Sequence, residues 1–137
     1  MGSNIKNGAK VLPELGVTES IATAANGVYS AQIAQDATYI KVVNVTVTTD
    51  ATDYLVLPKA TANLIGRIIL IKNGATGYEL VTPTGSGDTI NAVDADGTNQ
   101  LDVAASTVLR CTQVTATGWT VEQIAATAIT VVAPDND

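Results

Sequence analysis

The sequence predicts an all-β protein, an antiparallel β-sandwich of jelly-roll or barrel type that carries a flexible N-terminal arm. Two observations lead to this fold class. The composition is 46% hydrophobic but only 4% aromatic, and its Val, Ile and Thr have the stiff, branched side chains that fit a pleated sheet. Short apolar runs also alternate with Gly, Asn and Pro turn signals about every 8 to 12 residues, as in sandwiches and barrels.

The β-rich pattern begins at about Thr38. Residues 38–50 alternate valines with polar residues, which predicts a half-buried strand. Residues 52–60 predict a second strand that ends at Pro58. Residues 66–74, "GRIILIKNG", form a near-continuous apolar run, so we expect a strand that is buried on both faces.

Two hairpins are expected between later strands. Asn73-Gly74 opens a five-residue connection, "NGATG", to the strand "YELVTP" at 78–83. Ala116-Thr117-Gly118 joins "STVLRCTQV" to "GWTVEQIA". A final strand, "AITVVAP", is expected before the C-terminus.

These signals divide the chain into three parts. Residues 1–37 are rich in small and polar residues and form the predicted arm, in which 18–27 are extended or make a short helix capped by Thr18. Residues 38–132 form the β-sandwich domain. Residues 133–137 are an acidic tail that is expected to fray.

The arm is interpreted as a docking segment. Its apolar residues Val11, Leu12 and Leu15 are candidate interface contacts. The competing interpretation is that residues 9–15 are the first strand of the sandwich.

Charge and hydropathy exclude several classes of partner. The net charge is −6 and the seven basic residues are dispersed, so we expect no nucleic-acid partner. No apolar stretch has signal-peptide or membrane-helix length, so we expect no membrane partner and synthesis in a cytoplasm.

The residues needed for common catalytic chemistry are missing. The chain has no His, which removes a Ser-His-Asp or Cys-His arrangement. Cys111 lies in a strand-like run and is expected to be a small buried residue. Carboxylate pairs such as Asp94 with Asp102, or Glu79 with Glu122, are conceivable but are interpreted as solvated. We therefore expect no enzyme and no cofactor.

Residues 82–100, "TPTGSGDTINAVDADGTNQ", raise the question of an ion site. Asp94, Asp96 and Asn99 have the spacing of calcium ligands, but the loop lacks the remaining ligands of an EF-hand. The glycines lack the Gly-Lys-Ser/Thr of a phosphate loop. We interpret the segment as turns, in which Gly85, Gly87 and Gly97 supply positive φ and the Asp and Asn side chains bond the backbone.

The few aromatic residues are candidate anchors. Tyr54, Tyr78 and Trp119 are predicted to lie in the core or in an interface, because large aromatic side chains dominate the energetics of both. The alternative is a sugar-binding platform of exposed tyrosines and Trp119.

The order of the β motifs over residues 54–123 resembles a module of tailed-bacteriophage virion proteins. The motifs are "YLVLPKAT", "GRIILIKNGATG", "YELVTPTG", "GDTIN", "LDVAASTVLRCTQV" and "TGWTVEQI". The module is found in head-decoration proteins, head fibres and tail fibres. The segment "NAVDADGTNQ" is longer than the connection expected after "GDTIN", so no binding site is carried over.

The resemblance implies an architectural role on the exterior of the virion. The small size of the chain favours a capsid decoration (cement) protein that binds the assembled major capsid protein, and such proteins often form trimers. The alternative is a fibre or carbohydrate-binding module for attachment to the host surface.

Overall fold

The fold of residues 17–125 is given by a computed structural model, in which the side chain of Ala125 is not described. This part of the chain is all-β and contains ten strands and one turn of 3₁₀ helix, Ala62–Leu64. The strands are β1 (Val17–Ala22), β2 (Ile40–Thr46), β3 (Tyr54–Val56), β4 (Ile68–Asn73), β5 (Tyr78–Val81), β6 (Thr89–Ile90), β7 (Val93–Asp94), β8 (Leu101–Val103), β9 (Val108–Thr115) and β10 (Gly118–Ala125).

The strands form two mixed sheets. The larger sheet has seven strands in the order β1-β2-β4-β9-β10-β6-β7, and the smaller has the order β3-β5-β8. Strands β1, β2 and β4 run parallel to one another, and β3 runs parallel to β5. Strand β9 lies antiparallel to both β4 and β10.

The parallel strands give the first half of the chain a solenoid-like stack. The chain leaves each strand of the large sheet, passes along the small sheet, and returns in the same direction beside the previous strand. The register places Val17 beside Lys41 and Lys41 beside Ile69. The predicted all-β class is confirmed, but the predicted antiparallel arrangement is wrong for these strands.

The described part of the predicted arm also differs from expectation. Residues 17–22 form β1 where a short helix was one interpretation, and Ile33 is fully buried in the core. Residues 17–37 therefore belong to the same sheets and core as the rest. Residues 1–16, with Val11, Leu12 and Leu15, lie outside the described residues, as do 126–137 with the last predicted strand and the tail.

The two expected hairpins have different outcomes. Strands β9 and β10 form the predicted antiparallel hairpin. The hairpin across 73–77 is wrong, because β4 and β5 lie in different sheets. The buried Asn73 side chain donates to the carbonyls of Thr76 and Ala104 and accepts from Thr107 N–H. These bonds turn the chain away from the large sheet and toward the small one.

Alternation along the strands builds the core between the sheets. Val43 and Val45 of β2, Ile69 and Ile71 of β4, and Leu109 and Cys111 of β9 point to one side of the large sheet and are buried. Leu55 and Leu80 face them from the small sheet. This single core spans both the parallel and the antiparallel strands.

Candidate functional site

The loop from 82 to 100 is organised by its own turns. Gly85 and Gly87 adopt φ of +69° and +78°, as predicted, whereas Gly97 has no positive φ. Asp96 Oδ2 accepts the Gly87 N–H at 2.7 Å, and Asp94 Oδ1 accepts the Asp96 N–H. The carboxylates of Asp94 and Asp96, which have the spacing of calcium ligands, therefore bond backbone groups. Within residues 17–125, no cluster of three or more acidic, Cys or His side chains is placed to hold a metal ion.

The predicted aromatic anchors lie in different environments. Trp119 and Tyr78 are each 1% exposed and belong to the core. Tyr54 is half-buried and packs edge-to-face on Tyr29, with ring centroids 5.4 Å apart. Tyr39 is exposed and donates its hydroxyl to the carbonyl of Asn63. These rings do not form one exposed platform, because Trp119 and Tyr78 are enclosed by the core.

The groups considered for catalysis are also separated. Cys111 is fully buried, and burial raises the pKa of its thiol, which keeps it protonated. Glu122 pairs with Arg110 across β9 and β10 instead of approaching Glu79. Glu79 lies opposite Asp102 on β8. Partial burial and the neighbouring Asp102 and Asp50 raise the pKa of Glu79.

A buried polar cluster surrounds Trp119, and the sequence alone did not identify it. The Arg67 guanidinium lies 5.0 Å from the centre of the Trp119 ring, and its Nε donates to Gln113 Oε1 at 3.0 Å. Gln113 Nε2 donates in turn to the carbonyl of Thr61. The apolar run at 66–74 contains Arg67 but did not indicate its contact with Gln113, because Gln113 lies 46 residues later in the sequence, on β9.

The segment before the 3₁₀ helix is held by the same cluster. Asp88 is fully buried, and its Oδ2 accepts the N–H of Ala60 at 2.8 Å. Burial raises the pKa of this carboxyl despite that hydrogen bond and the nearby Lys59. Arg67 donates to the carbonyl of Lys59. Asp88 of the "GDTIN" motif therefore ties the motif to Lys59 and Ala60.

The outer face of the large sheet is the feature best suited to interaction. It is formed by the strand residues that alternate with the core positions. At its centre lie four aliphatic side chains in two adjacent rows, where Ile40 pairs with Ile68 and Val42 pairs with Leu70. Ile40 is 42% exposed and the other three are half-buried. These side chains form the aliphatic patch.

The surroundings of the aliphatic patch are polar and nearly neutral. Arg110 and Glu122 lie in the same row as Leu70 and pair at 3.0 Å. Thr112 continues the row of Ile68, and Asn44 and Lys72 form the next row. An apolar centre inside a polar rim is the usual anatomy of a protein interface.

The aliphatic patch has no cover within residues 17–125. Parallel strands are generally covered on both faces and have continuous apolar sequences. The sequence of β4 predicts burial on both faces, yet of its aliphatic residues only Ile69 and Ile71 are buried. The mismatch between this sequence and its surroundings points to the outer face of β2 and β4 as a contact surface.

Comparison with known proteins adds no relative. No family model, curated protein or solved structure matches this chain significantly. Among residues 17–125, no helix has the length and hydropathy required to cross a membrane.

Proposed function

We propose that this chain is a structural virion protein, a capsid decoration (cement) protein that binds the assembled major capsid lattice on the exterior of the particle and stabilises it. The aliphatic patch on the outer face of β2 and β4 is the observation that carries the proposal. It supplies apolar area inside a polar rim, and it lies on rigid strands instead of loops.

The chemistry of the described residues favours binding over catalysis. The single thiol is buried and protonated, and the carboxylates of the 82–100 loop bond backbone N–H groups. Binding through the patch would be modest for one copy. Many copies on a repeating lattice would raise the overall affinity, because each further contact is made at high effective concentration.

A homo-oligomer, expected to be a trimer, is part of the proposal. The sequence pattern resembles virion modules, and the core is poor in large aromatic side chains. A trimer would place three aliphatic patches on one surface and match a junction between capsid subunits. Sedimentation at micromolar concentration measures this stoichiometry.

A fibre module is the second candidate, and the solenoid-like stack favours it. Parallel strands stacked through β1, β2 and β4 form a unit of the kind from which elongated repeat structures are built. The carbohydrate-binding version of this candidate is weaker, because Trp119 and Tyr78 are buried.

Binding to purified particles tests the proposal. We expect the protein to bind particles that lack it, and Leu70→Lys to reduce occupancy at least tenfold by placing a charge at the centre of the patch. Ala51→Lys is the matched control, because it adds the same charge at an exposed turn outside the large sheet. Before binding is measured, both variants are shown to have the same unfolding transition as the wild type.

The opposite results would reject the proposal. Binding to host cells or glycans without binding to particles would favour the fibre module. Full occupancy by Leu70→Lys would remove the aliphatic patch from the contact.

A further inference from the structure

Strand β1 forms one edge of the seven-stranded sheet and differs from the other edges. It pairs with β2 over six consecutive residues without a bulge. Its sequence, Val-Thr-Glu-Ser-Ile-Ala, contains no Pro and no Lys, which are the usual devices that block pairing at an edge. No residue within 17–125 adds a further strand to this edge.

The other edges are short or covered. Strand β7 has two residues and β8 has three. Strand β3 is flanked by isolated bridges from Ala24 and Gln32. Strand β1 is therefore the longest edge among the described strands that can receive another strand.

Half of the β1 backbone groups face away from β2. Thr23 N–H donates to the carbonyl of Thr46, so the odd-numbered residues of the extended strand direct their backbone groups to β2. Since these groups alternate along a strand, those of Thr18, Ser20 and Ala22 point to the open edge. All three residues are exposed.

The charge at this edge is small, because the one carboxylate of β1, Glu19, shares Lys41 with Asp36. Glu19 is the one charged residue of β1, and Lys41 Nζ contacts its Oε1 at 3.0 Å. The chain as a whole has a net charge of −6, so most surfaces of two copies repel one another. Two β1 edges meet less of this repulsion, because Lys41 compensates part of the acidic charge beside them.

We propose that β1 pairs antiparallel with β1 of a second copy across a two-fold axis, which joins two seven-stranded sheets into one continuous sheet. The axis passes through Ser20, so that Ser20 lies opposite Ser20 and Thr18 lies opposite Ala22. This register keeps the core face and the outer face of the two copies aligned. The register centred on Glu19 is disfavoured, because it places two carboxylates opposite each other.

The contact has a consequence for the aliphatic patch. A two-fold axis perpendicular to the sheet places the outer faces of both copies on the same side, and the docking surface doubles. That consequence rests on the proposed function, but the edge contact does not. The edge contact uses a different surface from the patch. Because it joins copies in pairs, it predicts assemblies with an even number of copies: a dimer, or a hexamer if trimers also form.

Disulfide trapping tests the register in the full-length protein. Residues in a hydrogen-bonded antiparallel pair have Cα atoms about 5.5 Å apart, within the range that a disulfide spans. We expect Ser20→Cys to form a covalent dimer under mild oxidation. Thr18→Cys is the control on the same exposed face. Its two copies would be separated by four residues along the strand, roughly 13 Å, and should not cross-link.

A charge variant tests the same contact without a cross-link. Ser20→Lys places two ammonium groups opposite each other and should weaken association by about two- to fivefold. Asn44→Lys is its matched control, because Asn44 is exposed and lies beside Ser20 on β2. It should associate as the wild type does. Sedimentation measures both variants, and particle binding is measured separately.

Three results would overturn the proposal. The first is equal cross-linking by the two cysteine variants. The second is a sedimentation mass that corresponds to a monomer or a trimer for the wild type and is the same for Ser20→Lys. The third is a monomer whose Thr18 and Ser20 amides are protected from hydrogen exchange, because another segment of the same chain would then occupy the edge.

Discussion

The parallel and antiparallel halves of this molecule are held together in different ways. In the antiparallel half, a tight turn at 116–117 joins β9 to β10, and Trp119 and Arg67 fill the space behind them. In the parallel half, β1, β2 and β4 are neighbours in space but are connected by long excursions through the small sheet. Buried polar side chains tie those excursions to the strands.

Two polar contacts illustrate the parallel half. Lys41 of β2 is 2% exposed and bonds Glu19 of β1, Asp36 and the carbonyl of Ala34. Burial opposes the ionisation of Asp36, but hydrogen bonds from Lys41 and Thr38 hold the pKa of its carboxyl below the usual range. Where no tight turn joins neighbouring strands, charged hydrogen bonds thus supply local order.

Asp53 is the second contact. Its Oδ2 accepts hydrogen bonds from the Thr23 hydroxyl and from the N–H groups of Thr48 and Thr49. These donors follow β1 and β2, so one carboxylate fixes the exits of two parallel strands. In the parallel half, buried polar groups fix neighbouring strands that are far apart in sequence, whereas a turn joins β9 directly to β10. The apolar core is common to both halves.

The largest effect is expected from Trp119→Ala in the antiparallel half. Truncating a buried tryptophan removes apolar contact area and leaves a cavity, which costs about 3 to 5 kcal/mol in the free energy of unfolding. Denaturant unfolding measures the loss. Tyr39→Ala is the control and should cost much less, because Tyr39 is 41% exposed.

An unchanged free energy of unfolding together with lost glycan binding would contradict this assignment. Trp119 would then be a ligand contact, and the sugar-binding alternative would replace the core role.

Pairing between strands that are adjacent in sequence was easier to predict than pairing between distant strands. The β9–β10 hairpin was predictable, because its turn and both strands are adjacent in sequence. Strand β1 was missed as a strand, since Thr18 and Glu19 fit a helix start and the partner strand begins only at Ile40. Alternation identifies strands but gives no information about parallel or antiparallel pairing.

The candidate site was less predictable than the fold. Tyr78 and Trp119 could be assigned to the core or an interface from their chemistry alone. The aliphatic patch could not be found, because it depends on Ile40 and Val42 lying beside Ile68 and Leu70. The apolar run at 66–74 was the one indication of the patch in the sequence, since it contains more aliphatic residues than one buried face of a strand requires.

The next largest effect is expected in the parallel half. Lys41→Met should cost about 2 kcal/mol, less than the loss for a fully buried ion pair, because Glu19 and Asp36 retain some contact with water. Arg110→Met removes an exposed ion pair and should cost under about 0.5 kcal/mol. Thermal unfolding of the two variants gives the comparison directly.

Equal destabilisation by the two substitutions would show that the buried lysine does not organise the parallel strands. The parallel half would then depend on its buried ion pairs no more than the antiparallel half depends on its exposed one.

Acid titration provides a further test of the parallel half. Hydrogen bonds from Thr23, Thr49, Asp50 and Thr48 outweigh burial and lower the pKa of Asp53 from its ordinary value of 3.8. A lowered folded-state pKa stabilises the protein above that ordinary value, and the stabilisation is lost as the pH falls through the folded-state pKa. The free-energy difference between wild type and Asp53→Asn should therefore shrink below about pH 4.

Urea unfolding at several pH values from 7 down to 3 measures this difference. A difference that stays constant over that range would mean that the charge of Asp53 does not contribute to stability.

The smallest effect is expected at the far edge of the large sheet, where β6 pairs parallel with β10 and antiparallel with β7. The β6–β7 hairpin turns through Asn91 and Ala92, which have φ of +51° and +67°. Two positive φ angles define a type I′ turn, in which Asn-Gly is the favoured pair. Asn91 suits this position and also binds β10, since its side chain accepts the Val121 N–H and donates to the Val121 carbonyl.

Ala92 lacks the conformational freedom that this turn requires. A left-handed residue with a Cβ costs roughly 1 to 2 kcal/mol, whereas the added freedom of glycine in the unfolded chain costs about 0.4 to 1 kcal/mol. Ala92→Gly should therefore stabilise the protein by about 0.5 kcal/mol and raise Tm by a degree or two. Ala75→Gly is the control, since Ala75 is exposed and is not among the residues with positive φ. It should lower Tm by a similar amount. If Ala92→Gly lowered Tm as Ala75→Gly does, the left-handed turn at 91–92 would not be a source of strain.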